Sequence, residues 1–248
     1  MSDIQIINAD CMEYMPSIES KSIDMILCDL PYGTTRCKWD VIIPFKPLWS
    51  QYKRIIKDDG AIVLTASQPF TSYLVMSNVD MFKYSLVWDK IKGTGFLNAK
   101  KMPLRNHEDI LIFYKNSPTY NPQMTHGHNR KVSFRKKHLQ TEVYGKMSRD
   151  YNYDSTDRYP RSVIEISTDT QNSSLHPTQK PVALFEYLIR TYTNEEDTVL
   201  DNCSGSGTAA IAAFNTNRNA ILIEKDKYYC DDSLDRFNRH KQQQVLAL

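Results

Sequence analysis

Thr198-Val199-Leu200-Asp201-Asn202-Cys203-Ser204-Gly205-Ser206-Gly207-Thr208 decides the fold. Three strand-type residues run into an acidic residue and a loop of small residues that opens a helix; Ala220-Ile221-Leu222-Ile223-Glu224 follows as a second apolar run. Such a loop lets the backbone approach a ligand closely, and a carboxylate ending the next strand can accept both hydroxyls of a ribose, as in dinucleotide sites. Outward from this unit, further Ile-, Val- and Leu-rich runs bounded by turn residues lie at 4–7, 23–28, 61–65, 84–88 and 110–114, making seven with 198–200 and 220–223. They read as buried parallel strands, apolar because both faces are covered. Helices are expected at 45–56, 68–77, 182–191, 207–214 and near 227–241. Pro44, Pro69 and Pro181 stand at the starts of the first three, where a missing N–H costs nothing. The alternation predicts an α/β sheet covered on both faces.

The chain has 248 residues, 41% hydrophobic and 24% charged, enough to bury a core and unlike a fibrous or wholly disordered protein. A net charge of +2 does not mark a strongly basic nucleic-acid binder, so any such role rests on local clustering. That clustering is in residues 116–174, poor in periodic apolar positions. From Lys115 to Arg161 there are ten Lys or Arg against four Asp or Glu. No apolar run approaches the roughly 18 to 20 residues of a membrane helix, and the first residues lack a signal peptide's pattern, so a cytoplasmic location without a membrane partner is expected. Five cysteines (Cys11, Cys28, Cys37, Cys203, Cys230) without a C-x-x-C pair fit reduced thiols. No metal is expected; His126, His128 and His138 sit in a polar stretch and read as solvated or near phosphate.

The run at 23–28 leads into Asp29-Leu30-Pro31-Tyr32-Gly33, which sets a carboxylate, a rigid turn and an aromatic ring at the carboxyl end of a strand. Open α/β sheets bind ligands at that edge. Taken alone, the turn reads equally well as an ordinary strand ending. With the loop at 201–208, however, the chain resembles the amino-methylating DNA methyltransferases. Their catalytic signature is D/N/S-P-P-Y/F, and their S-adenosylmethionine loop is commonly D-P-F-x-G-S-G-T. The resemblance extends to Asn8-Ala9-Asp10-Cys11, to Ser22-Ile23-Asp24, to the stretch from Arg105 to Lys115 (RNHEDILIFYK), and to His176-Pro177-Thr178-Gln179-Lys180-Pro181. With the catalytic turn first and the cofactor loop last, it is similar to the circularly permuted β group. Leu30 replaces the usual first proline, and Asn202-Cys203 replaces Pro-Phe.

The resemblance implies a Rossmann-like seven-stranded methyltransferase fold, circularly permuted. Residues 1–115 would be its catalytic part, 116–174 an inserted target-recognition region and 175–248 the cofactor-binding part. It implies transfer of a methyl group from S-adenosylmethionine to the N6 amine of adenine. Asp29 and the Leu30 carbonyl would accept the amine N–H bonds and stabilise positive charge growing on nitrogen. Pro31 would stiffen the turn, and Tyr32 would stack on a base flipped from double-stranded DNA at a cost of about a few kcal/mol. It assigns Glu224 to the ribose, Asp10 with Cys11 to the adenine end of the cofactor, and Asp201, Cys203, Gly205, Gly207 and Thr208 to its methionine end. His176 and Lys180 join the cofactor set. In the basic stretch, Arg130, Lys131, Arg135, Lys136 and Lys137 would meet phosphates, and Arg149, Arg158 and Arg161 base edges or phosphates.

Other readings remain open at this point. A cytosine-N4 enzyme is the close rival. A nicotinamide oxidoreductase would carry G-x-G-x-x-G, and this loop lacks the third glycine. A silent relative would have lost Asp29 or Tyr32, and both stand in the chain. The chain alone leaves a homodimer, the DNA sequence read and a restriction partner open.

Overall fold

The computed structural model describes residues 2–35, 37, 39–135, 140–141, 145–146, 151–168 and 179–246; of residues 135, 140, 141, 145, 146, 151, 245 and 246 it describes the backbone. In chain order the elements are β1 (Ile4–Asn8), α1 (Cys11–Tyr14), β2 (Ile23–Cys28), α2 (Phe45–Ile55), β3 (Ile56–Ala66), α3 (Phe70–Met76), β4 (Phe82–Thr94) and β5 (Arg105–Phe113). Then come β6 (Lys131–Arg135), β7 (Gln140–Thr141), β8 (Gly145–Lys146), β9 (Tyr151–Ser155), β10 (Val163–Glu165), α4 (Val182–Tyr192), β11 (Thr198–Asp201), α5 (Thr208–Asn215), β12 (Asn219–Glu224) and α6 (Lys227–Leu246). No described helix is long and apolar enough to cross a membrane.

The chain forms two compact units, 1–121 with 162–248, and 122–161. The larger holds an eight-stranded sheet in the order β1-β12-β11-β2-β3-β5-β4-β10. All seven expected strands belong to it. The expectation that all are parallel fails at β5, which runs antiparallel to β3 and to β4. Only residues 95–104 separate β4 from β5, too few for a helical crossover, so the chain turns back as a hairpin. An eighth strand, β10, pairs parallel with β4. The basic stretch is therefore shorter as a unit than 116–174, because Asn121 bonds to the backbone around Thr191 and Thr193, and 163–165 pair with the sheet.

Alternate residues of each central strand enter opposite cores. Ile26 and Cys28 of β2, with Ile62 and Leu64 of β3, pack under Met15, Trp49, Tyr52 and Phe70 from the α1, α2 and α3 side. Met25, Leu27, Ala61 and Val63 meet Leu184, Leu188, Ala209 and Phe237 from α4, α5 and α6. This two-sided burial is why the strands read as unbroken apolar runs.

β11 and β2 lie side by side and parallel, Leu200 opposite Ile26. The connection after β11 leaves through α5 to β12 on one side, and that after β2 through α2 to β3 on the other. Divergent connections open a crevice at the carboxyl ends of the two strands. Asp29 and Asp201 stand at its rim.

In the smaller unit β6 and β9 form an antiparallel ladder, Val132 opposite Asp154 and Phe134 opposite Asn152. The Arg158 guanidinium donates to the carbonyls of Asn129, Ser155 and Asp157 and to the Tyr153 hydroxyl, which ties the unit together.

Candidate active site

The carboxylate of Asp29 is held from three sides. Its Oδ1 accepts hydrogen bonds from the Tyr32 hydroxyl (2.7 Å) and from the Thr65 hydroxyl at the end of β3. Its Oδ2 accepts from the Lys180 ammonium at 2.5 Å. Lys180 is 6% exposed and Asp29 25%. A second carboxylate completes the group: Glu108 Oε2 lies 3.3 Å from Lys180 Nζ, while Oε1 pairs with Lys90. Lys90, Glu108, Lys180 and Asp29 thus form a row of alternating charge. Burial alone would drive the Lys180 ammonium toward neutrality, but Asp29 and Glu108 outweigh it and hold its pKa above the ordinary value. The Tyr32 phenol is pushed well above its usual range by burial, with Asp29 and Glu108 adding to the shift.

Leu30 is buried beneath this group, and the Tyr32 ring stacks on Phe70 with centroids 5.1 Å apart. The turn is fixed from beyond by Asp40, whose Oδ1 accepts from Gly33 N (2.8 Å) and whose Oδ2 accepts from the backbone N–H groups of Thr34 and Thr35 (2.9 and 2.7 Å).

Across the crevice, the loop after β11 turns through positive φ at Gly205 (49°) and Gly207 (73°) into α5. A Cβ on Gly207 would lie 2.1 Å from the Ser233 hydroxyl of α6, so both the backbone angle and the close packing require glycine there. Arg236 of α6 clamps the loop by donating to the Ser206 carbonyl at 2.8 Å. Asp201 accepts from Cys203 N at 3.1 Å, and burial pushes its carboxyl up to about 7. Glu224 accepts one backbone N–H on each oxygen, Gly205 at Oε2 and Asp226 at Oε1, both 2.8 Å. Since a carboxylate offers about four lone-pair sites, two remain for ribose hydroxyls. The Ser204 hydroxyl is buried without a hydrogen-bond partner among the described residues. The glycine loop, the half-engaged carboxylate and this orphaned hydroxyl fit an adenosyl cofactor.

Asp10 caps α1 by accepting from Met12 N (2.8 Å) and pairs with Lys225 at 2.9 Å, which holds its carboxyl below the usual range. Cys11, Cys28 and Cys203 pack in one core cluster beneath the crevice, and burial drives the Cys28 thiol up to about 12. Lys180, expected at the cofactor, spans both halves of the site. Its ammonium reaches Asp29 while its carbonyl accepts from Thr208 Oγ1 at 3.2 Å. His176, Lys136, Lys137 and Arg149 lie outside the described residues, as does the side chain of Arg135. In the smaller unit, the Arg130 guanidinium grips Asp154 through two bonds of 2.7 and 2.6 Å, and Arg158 is spent on the unit's own backbone. Lys131 and Arg161 are exposed. His126 pairs with Asp157 at 2.9 Å, and His128 shares a 2.7 Å bond with Thr125.

Sequence reading did not assign roles to Thr65, Glu108, Asp40 or Arg236. Glu108 lies in the 105–115 stretch that carries the resemblance, but a parallel strand at 110–114 would set it at the sheet edge opposite Asp29. Because β5 is antiparallel, its amino end lies beside Asp29.

Residues 23–235 match a family described as DNA methylase, the N6/N4 methyltransferases. The type II methyltransferase M.HpaI of Haemophilus parainfluenzae is 28% identical over 95% of this chain and 74% of its own. The DNA adenine methyltransferase YhdJ of Escherichia coli (strain K12) is 26% identical over 94% of this chain and 82% of its own. The crystal structure of the M1.HpyAVI–SAM complex superposes with a TM-score of 0.63 at 26% identity, covering 95% of this chain and 99% of the other. The match spans the catalytic turn, the row of charge and the cofactor loop alike, and the chain belongs to the S-adenosylmethionine-dependent N6/N4 DNA methylase family.

Proposed function

We propose that this chain is a site-specific methyltransferase that acts on the N6 amine of an adenine flipped out of duplex DNA. The Asp29 carboxylate carries the reading. Three of its four lone-pair sites are engaged by Thr65, Tyr32 and Lys180, which fix its direction and leave one for an incoming amine. The exocyclic nitrogen is a poor nucleophile because its lone pair is delocalised into the ring. Accepting its N–H bonds at Asp29 and at the Leu30 carbonyl draws it toward a tetrahedral shape and stabilises the charge it acquires. Phe70 covers one face of Tyr32, so the base would use the other. An aspartate at this position is the commoner choice among adenine enzymes of the permuted group, serine among cytosine enzymes, and the carboxylate is the stronger acceptor. The relative YhdJ is named as an adenine enzyme.

S-adenosylmethionine supplies an electrophilic methyl on a positively charged sulfur. Glu224 would hold its ribose, Asp10 its adenine, and the 201–208 loop its methionine end. In the smaller unit the exposed Lys131 and Arg161 remain for DNA phosphates. Digestion of DNA methylated by the purified protein, followed by chromatography of the nucleosides, should give N6-methyladenine as the main product. A dominant N4-methylcytosine peak would assign the chain to the other branch of its family.

A pH dependence follows from Asp201. Its folded value of about 7 lies above the ordinary carboxyl value near 3.9, so the free protein carries a proton there below neutrality. A cationic ligand binds the ionised form better and expels that proton. Affinity for S-adenosylmethionine should therefore rise with pH up to about 7 and then level, by at most roughly tenfold per pH unit. Calorimetry in buffers of different ionisation heat reads both the slope and the proton. Asp201→Asn should flatten the curve, and S-adenosylhomocysteine, which lacks the sulfonium charge, should show a weaker slope. A falling affinity across this range would remove Asp201 from the cofactor's surroundings.

A further inference from the structure

The hairpin between β4 and β5 carries apolar side chains into solvent: Leu97 is 101% exposed, Phe96 78% and Met102 56%. Its backbone is closed by its own hydrogen bonds. Gly95 takes a left-handed conformation (φ 91°) and starts a single 3-10 turn over Phe96–Asn98. Asn98 N donates to Gly95 O (2.9 Å), and Lys101 N and Met102 N both donate to Asn98 O (2.8 and 3.0 Å). Below the tip, Gly93 packs so closely under Leu104 that a Cβ there would sit 2.8 Å from it. An exposed apolar knob held in place by its own hydrogen bonds marks a contact surface.

Its charge says what kind. Residues 91–105 contain Lys92, Lys100, Lys101 and Arg105 and no acidic residue, and all four basic residues are exposed. Its position narrows the choice further. Thr65, which bonds Asp29, is opposite Ile110 of β5, and Arg105 lies five residues beyond that level toward the tip. At about 3.3 Å per residue and about 4.8 Å per strand, Arg105 at the base of the hairpin tip stands on the catalytic edge roughly 20 Å from Asp29, with the tip beyond it. A nucleotide that reaches Asp29 swings through about 180° out of its stack, so the duplex it leaves lies beyond this same edge. Proteins that distort duplex DNA insert Phe, Leu or Met between base steps while lysines hold the adjacent phosphates.

We propose that Phe96 and Leu97 enter the base stack beside the flipped nucleotide and fill the gap it leaves, with Lys100 and Lys101 on the flanking phosphates. The inference rests on the base-flipping reading of the preceding section. The test compares wild type with the double variant Phe96→Ala/Leu97→Ala on two duplexes that carry the site mapped by sequencing DNA methylated by the wild type. One duplex is fully paired; in the other the target base faces an abasic position, so it has no partner to leave. The variant should methylate the paired duplex at least about tenfold more slowly and the abasic duplex at close to the wild-type rate. With 2-aminopurine at the target position of the paired duplex, it should also lose the fluorescence rise that reports extrusion. Equal losses on both duplexes, or none on either, overturn the wedge and leave base flipping intact. A wild type that methylates single strands and neither duplex overturns both. Both side chains lie in solvent, so an unchanged melting temperature is expected of the variant.

Discussion

Asp29→Ala should abolish methyl transfer while the protein still binds S-adenosylmethionine. On the proposed reading the carboxylate is the acceptor aimed at the nitrogen on which charge develops, and removing one preorganised group of that kind costs roughly 10²–10³ in rate. The loss is expected in kcat, because the interaction strengthens as the methyl arrives and contributes little beforehand. Cofactor binding is expected to survive because no side-chain bond to Glu224 or to the 201–208 loop comes from Asp29: they are held by Gly205 and Asp226 N–H groups, Tyr52, Arg236 and the Lys180 carbonyl. Asp29→Asn separates charge from shape: the amide keeps an acceptor oxygen but presents hydrogens to Lys180, so it too should be severely impaired. Initial rates with labelled cofactor, beside calorimetric binding of the same cofactor, decide the matter. Turnover retained in Asp29→Ala would falsify the catalytic assignment, whereas loss of both turnover and binding would make the residue structural.

Lys180→Met should be the most destabilising single change in the site. It leaves Asp29 and Glu108 facing one buried space without the cation between them, and breaking a buried pair by removing one partner typically costs about 3–5 kcal/mol. Glu108 would keep Lys90, but Lys90 makes no ion pair with Asp29. Activity should fall as well, since the ammonium fixes the direction of the Asp29 carboxylate. Lys180→Arg should rescue stability in part and activity less, because a planar guanidinium cannot place a single compact donor at 2.5 Å from Oδ2 without moving Tyr32. In a double-mutant cycle, adding Glu108→Gln to Lys180→Met should recover a share of the lost stability, with a coupling of roughly 0.5–3 kcal/mol. Urea melts of the four proteins measure it. A Lys180→Met protein as stable as wild type would mean that the row of charge does not hold the site together.

The sequence by itself determined seven of the strands and the order of catalytic turn and cofactor loop along the chain; with the family resemblance it gave the roles proposed for Asp29 and Glu224. These are local signals: an apolar run that ends in a carboxylate, a glycine loop that opens a helix, and the interval between them. Gly207 stood in the sequence as one of the small residues of a loop that lets the backbone approach a ligand, but its positive φ and the Ser233 hydroxyl that a Cβ would meet come from the fold. Tertiary structure decided the rest. The direction of β5 depends on the short return from β4 and has no signature within residues 110–114, and that direction alone brings Glu108 to Lys180. Lys180 and Asp29 are 151 residues apart, so their ion pair exists only once α4, which Lys180 precedes, docks against β2. Arg130 and Arg158 looked available as part of a basic run. The fold gave Arg130 to Asp154 and Arg158 to backbone carbonyls, because a small unit with no buried apolar side chain among its described residues closes itself with the charged donors it has. Composition counts charges; only packing says which of them are already engaged.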